Sequence, residues 1–117
     1  MNNEKKMQYT GVYFDSRGLF SYLQKYCITN NCLDLFEPYD KGDEYAVNVP
    51  VSEKIDPICE FLKVFVDGMK YNNLSDGDVD FADFEDSAFS IWKDLLGEQK
   101  ADELYDEMNR FYKKLWN

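Results

Sequence analysis

Between Asp56 and Tyr71 the apolar residues fall at helical spacing more completely than anywhere else in the chain. Asp56 precedes Pro57, which places a capping residue before a proline at the first helical position, where the missing N–H costs nothing. Ile58, Phe61, Leu62, Phe65, Val66 and Met69 follow at i, i+3, i+4, i+7, i+8 and i+11, one broad apolar stripe that has to be buried against other elements. The pattern ends near Tyr71-Asn72-Asn73. Whatever the chain folds into is therefore built around this helix.

The remaining elements supply its cover. Met7–Phe14 (MQYTGVYF) is rich in Tyr and Val and reads as a strand, ended by Asp15-Ser16, which also cap a helix from Ser16 to about Thr29. That helix carries Leu19, Phe20, Leu23 and Cys27 on one side, with Gly18 as a weak point near its start. Cys32–Phe36 and Glu44–Val49 read as two strands of a β-hairpin joined through Pro38–Asp43. In the second of them, Tyr45, Val47 and Val49 alternate with Ala46 and Asn48. Phe81, Phe84, Ala88, Phe89, Trp92, Leu95 and Leu96 mark a further helix stopped at Gly97. Ala101, Leu104, Tyr105, Met108, Phe111, Tyr112 and Leu115 mark the last, which begins near Glu98. The one-glycine connection predicts an antiparallel helical hairpin over about 76–115. The expected fold is α+β: a small three-stranded antiparallel sheet with four helices, in one domain spanning residues 1–117.

Charge is distributed unevenly over these elements. The net formal charge of the 117 residues is −10. Twelve carboxylates lie between Asn72 and Glu107 (Asp76, Asp78, Asp80, Asp83, Glu85, Asp86, Asp94, Glu98, Asp102, Glu103, Asp106 and Glu107) against only Lys93 and Lys100. With 44% apolar and 17% aromatic residues, this is not the composition of a disordered acidic tail. The carboxylates are expected on the surface of a packed structure, where such density raises self-repulsion and calls for a basic partner or a solubilising role.

Several function classes are disfavoured. The chain has no His, the commonest general base, and no GxSxG, phosphate loop or HExxH, so it is expected not to be an enzyme. The expected cofactor and metal set is empty. Cys27, Cys32 and Cys59 are too few for a zinc site without His, and their odd number fits reduced thiols in a cytoplasmic compartment. Asp76-Gly-Asp-Val-Asp80 resembles a calcium loop only at its start: Phe81 and Ser87 stand where an EF-hand needs Gly and Glu. These acids are expected instead to lead into and cap the following helix, with a weak divalent-ion site as the alternative. No apolar run is long enough for a membrane span or a signal peptide. The acidic balance disfavours direct contact with anionic lipid or nucleic acid.

The last helix carries the most specific functional signal. Glu98, Asp102 and Asp106 repeat at i, i+4 and i+8, and Glu103 and Glu107 form a parallel i, i+4 pair. Neighbours at this spacing stand roughly 6 Å apart and destabilise a helix by a few tenths of a kcal/mol per like-charged pair. Only Asp106→Arg110 offers relief. Such a row imitates the edge of a nucleic-acid backbone, with Asp83, Glu85, Asp86 and Asp94 widening it. The nine Tyr are suited to supply interface anchors. In composition the chain resembles phage-encoded DNA-mimic inhibitors of restriction or CRISPR enzymes, although it shares no motif with them. That resemblance implies anti-CRISPR or antirestriction binding to a nuclease effector through Asp76–Glu107. The same physics fits an immunity protein or antitoxin against a nuclease toxin. An adaptor whose acidic face only solubilises, and which acts through Tyr residues near the N-terminal sheet, is the third reading.

Overall fold

The computed structural model describes residues 8–31 and 36–117. In chain order it contains β1 (Gln8–Phe14), α1 (Arg17–Asn30), β2 (Glu37–Asp40), β3 (Tyr45–Val51), α2 (Asp56–Tyr71), a 3-10 turn at Asp76–Asp78, α3 (Ala82–Leu96) and α4 (Glu98–Trp116). The three strands form one antiparallel sheet in the order β1-β3-β2, giving the expected α+β fold with four helices.

The register of the sheet follows from its alternation. β1 pairs with β3 through Tyr9↔Pro50, Gly11↔Asn48 and Tyr13↔Ala46 on one face, and through Thr10↔Val49, Val12↔Val47 and Phe14↔Tyr45 on the other. The second set is the core face: Val12, Val47, Val49 and Val51 are buried, as is Thr10, whereas Tyr9 and Tyr13 are exposed. Tyr13 leans along its strand over Gly11, where a Cβ would stand 3.1 Å from the tyrosine hydroxyl. Lys41 Nζ lies 4.4 Å from the Tyr13 ring centroid.

The hairpin differs from the sequence expectation. β2 runs over Glu37–Asp40, so Pro38 and Tyr39 belong to the strand rather than to its loop. Phe36 is buried just ahead of it, and the rest of the expected strand, Cys32–Leu35, lies outside the described residues. The loop shortens to Lys41–Glu44, closed by Lys41 N–H donating to the Glu44 carbonyl at 2.8 Å and by Gly42 N–H donating to Asp40 Oδ1 at 2.8 Å. Proline is tolerated because β2 is an edge strand. The Lys41–Glu44 bond sets the alternation so that Pro38 turns its N–H-less nitrogen away from β3.

Helix α2 is the centre of the packing. Every residue of the expected stripe is buried, joined by Val64 and Gly68. Phe61 meets Phe36, Phe65 and Phe84 at centroid distances of 5.4, 5.1 and 6.0 Å, and Phe65 meets Phe14 and Phe81 at 5.7 and 5.3 Å. α1 crosses α2 closely because two glycines lack side chains. A Cβ at Gly68 would come within 2.8 Å of Leu19 and Tyr22, and one at Gly18 would run into the Asn72 side chain. Gly18, a weak point by helix propensity, thus leaves room for the Asn72 side chain, which donates to the Gly68 carbonyl at 2.8 Å. Ser16 caps α1 as expected, its Oγ accepting from Leu19 N–H at 3.1 Å.

Asp56 does not cap α2. The helix already includes it, Ile55 holds the cap position, and no side chain caps that end. Asp56 stands in the first turn, where its charge favours the positive end of the dipole. The α3–α4 hairpin turns through Gly97 at φ 93° and docks on the sheet through Trp92, which is fully buried and donates from Nε1 to the Ser52 carbonyl at 2.8 Å. At the far end of α4, Lys70 of α2 donates to the Leu115 carbonyl at 2.7 Å, supplying both a donor and a positive charge where the helix leaves carbonyls unpaired.

Candidate functional site

Ala101, Leu104 and Met108 anchor α4 to the core. The opposite side of the same helix presents Asp102, Glu103, Asp106 and Glu107, all exposed, with exposed Glu98 at its start. Among the described residues, the only ion pair in this row is Lys100–Glu103 at 3.7 Å, with both side chains more than half exposed. A pair so exposed contributes little. Asp106 and Arg110, which the spacing allows to pair, do not close to ion-pair distance. The described residues therefore leave the carboxylates of α4 largely unneutralised.

The acids before and along α3 divide into two groups. Asp83, Asp86 and Asp94 are exposed on the outer side of α3; Asp83 and Asp94 lie on the flank of the helix turned away from Phe89, which meets Tyr105 of α4 edge-on at 5.6 Å. The loop acids are used internally. Asp78 accepts from Ser75 N–H at 2.7 Å, Asp80 accepts from Ala82 N–H at 2.9 Å, and Asp76 accepts from the Tyr112 hydroxyl at 2.6 Å. The loop thus leads into α3, as expected, but does not cap it: Phe81 holds the cap position and no side chain bonds there, Asp80 closing only a local turn onto Ala82, while Asp76 ties the loop to α4. Burial and the bond to Asp76 raise the Tyr112 pKa, so the hydroxyl stays a donor at any ordinary pH.

Glu85 is half-buried, and its carboxyl is pushed up from the usual range by burial, then by Asp86, Asp76 and Asp80. The dipole at the start of α3 favours its charge, but desolvation and three like charges outweigh that. A carboxyl whose folded-state pKa is raised contributes stability that is fully present below its unfolded pKa and is lost as pH rises through the folded value. Glu85→Gln is expected to raise the urea midpoint at pH 7, an advantage that shrinks to nothing near pH 4. Paired urea titrations check this, and a variant less stable than wild type at pH 7 would contradict it.

A contribution from α2 is absent from the sequence reading. Cys59 is half-buried, and its thiol is pushed up to about 11 by burial, then by Glu107, Asp56 and Glu60. The acidic surface of α4 thus continues onto the first turns of α2, where Asp56 and Glu60 stand exposed. Their i, i+4 spacing was legible; that α2 lies beside Glu107 was not. At pH 8 Cys59 is expected to alkylate with iodoacetamide about a hundredfold more slowly than an ordinary thiol, because so high a pKa leaves correspondingly less of the reactive thiolate. Glu107→Gln is expected to speed it. Peptide mass spectrometry over a pH series reads both, and labelling at the ordinary rate would overturn the electrostatic assignment.

No three His, Cys, Asp or Glu side chains among the described residues converge to hold a metal ion. The Cys27 thiol is buried and donates to the Phe36 carbonyl at 3.3 Å, and Cys32 lies outside the described residues. No described helix is long and apolar enough to cross a membrane. Away from the acidic face, Tyr22, Tyr26 and Tyr71 line an open groove of about 600 Å³ between α1 and the end of α2. No protein family, curated protein or solved structure matches this chain.

Proposed function

We propose that this is an acidic binding protein that inhibits a basic, nucleic-acid-handling enzyme of restriction or CRISPR type by occupying the groove that takes phosphate. The observation that carries the reading is the unneutralised outward face of α4. Glu98, Asp102, Glu103, Asp106 and Glu107 span nine helical steps, about 14 Å at 1.5 Å per residue. That is roughly one charge per 3 Å, close to the 3.4 Å spacing of a single nucleic-acid strand. A groove built to release counterions from phosphates gains in the same way from such a row. The carboxylates steer the encounter and meet Lys or Arg, and exposed aromatic side chains supply desolvated contacts.

Capture of partners from native lysate by the tagged protein, at about 50 mM and about 500 mM salt, tests the reading. The expected result is a nucleic-acid enzyme held at low salt, released at high salt, and displaced by a DNA duplex. A neutral partner held at both salts, with DNA unable to compete, would overturn it. A basic nuclease toxin behaving in the same way would keep groove occupancy and make the protein an immunity factor.

A further inference from the structure

The two edges of the sheet are not equivalent. In the hairpin, Lys41 N–H donates to the Glu44 carbonyl, so with the β2–β3 register Tyr39↔Ala46 and Glu37↔Asn48 are hydrogen-bonded pairs. Ala46 and Asn48 therefore direct their backbone groups at β2. By alternation Tyr45, Val47 and Val49 direct theirs at β1. Tyr9, Gly11 and Tyr13, opposite Pro50, Asn48 and Ala46, are then left with N–H and C=O groups aimed at the outer edge of β1, where no described strand pairs. On the other edge, β2 turns the nitrogen of Pro38 outward and is only four residues long, with charged Glu37 and Asp40 at its ends. Such features block strand addition. β1 has none of them: its seven residues include no charge and no proline.

We propose that this edge pairs antiparallel with β1 of a second copy, joining two sheets across a two-fold axis at Gly11. The segment Tyr9-Thr10-Gly11-Val12-Tyr13 reads almost the same in both directions, with Thr and Val as branched counterparts. Antiparallel pairing about Gly11 sets Tyr9 against Tyr13 of the second copy, twice. Those pairs, with Gly11 against itself, use the same outward backbone groups, and each pair exchanges two hydrogen bonds. The exposed faces of Tyr9 and Tyr13, 58% and 43% accessible, become cross-strand aromatic pairs. The occupant is a second copy because the segment is complementary to itself. It carries no charge that a partner of opposite sign would seek.

Like charge opposes the association, since each copy carries −10. Salt is therefore expected to strengthen the dimer, the reverse of its effect on the proposed groove binding, so each reading can fail without the other. Sedimentation equilibrium from about 5 µM to about 500 µM, at about 50 and 500 mM salt, is the experiment. The mass is expected to rise from 13.8 kDa towards twice that value, more steeply at high salt. Hydrogen exchange of the β1 amides is expected to slow as concentration rises. Tyr9→Lys with Tyr13→Lys, which sets like charges opposite one another, is expected to weaken association at least tenfold with an unchanged circular dichroism spectrum. A monomer throughout the range, including one that binds an extended segment of another protein there, would overturn the proposal. A dimer whose β1 amides exchange as in the monomer would also overturn it. If the double variant misfolds, exchange on the wild-type chain alone decides.

Discussion

Reversing the charge of Asp102, Glu103, Asp106 and Glu107 to Lys is expected to reduce binding of the captured enzyme at least a hundredfold while leaving the protein folded. All four side chains are exposed, and none hydrogen-bonds to another described residue. The net charge moves from −10 to about −2, and a row that attracted a cationic groove now repels it. Steering alone changes association rates by about 10- to 1000-fold, and lost pairing adds to the dissociation rate. The fold should barely notice. Lys at 102 gains a favourable neighbour in Glu98, Lys at 106 faces Arg110, and such helix pairs are each worth about 0.2–0.5 kcal/mol. Thermal melts with calorimetric binding to the captured enzyme give both readings. Unchanged affinity in the folded variant would remove α4 from the interface and leave the acidic face a solubilising one. Changes at Asp76, Asp78 and Asp80 should in addition loosen the loop before α3, because those carboxylates, although exposed, are hydrogen-bonded to the molecule's own Ser75, Tyr112 and Ala82.

The largest stability effect is expected at Trp92. Its ring is fully buried and its indole N–H reaches across to the Ser52 carbonyl at 2.8 Å, fastening the α3–α4 hairpin to the end of β3. Trp92→Ala removes the largest side chain of the core and is expected to cost about 3–5 kcal/mol, a substantial part of the roughly 5–15 kcal/mol available to a domain. Trp92→Phe keeps most of the buried area but leaves the Ser52 carbonyl without its donor, a loss of about 1–3 kcal/mol. Urea titrations should order the chains wild type, Phe, Ala, with similar slopes. An Ala variant within about 1 kcal/mol of wild type would mean that the hairpin is not held by this contact.

The helices were legible because each carries a stripe wide enough to require burial. The positions expected inside α2 are all buried, and those of α4 are buried or half-buried with the carboxylates opposite. Gly97 ended α3 as its position implied. The expectation that Pro38–Asp40 belong to the loop failed because local chemistry misleads at an edge. Pro38 looks like a loop residue until the strand is known to lie outermost, where a missing N–H removes no ladder bond. Asp56 misled in a smaller way, since an acid before proline fits both a cap and a first turn.

The helical faces and the outward row of carboxylates on α4 follow from residue spacing alone, because helix periodicity assigns sides without reference to any neighbour. What those faces adjoin is set by packing. It turned Asp76, Asp78 and Asp80 to internal use, half-buried Glu85, carried the acidic surface onto Asp56 and Glu60 beside Glu107, and placed β1 outermost in the sheet. Those outcomes depend on which elements pack together, and interactions between residues distant in sequence leave no periodic trace along the chain.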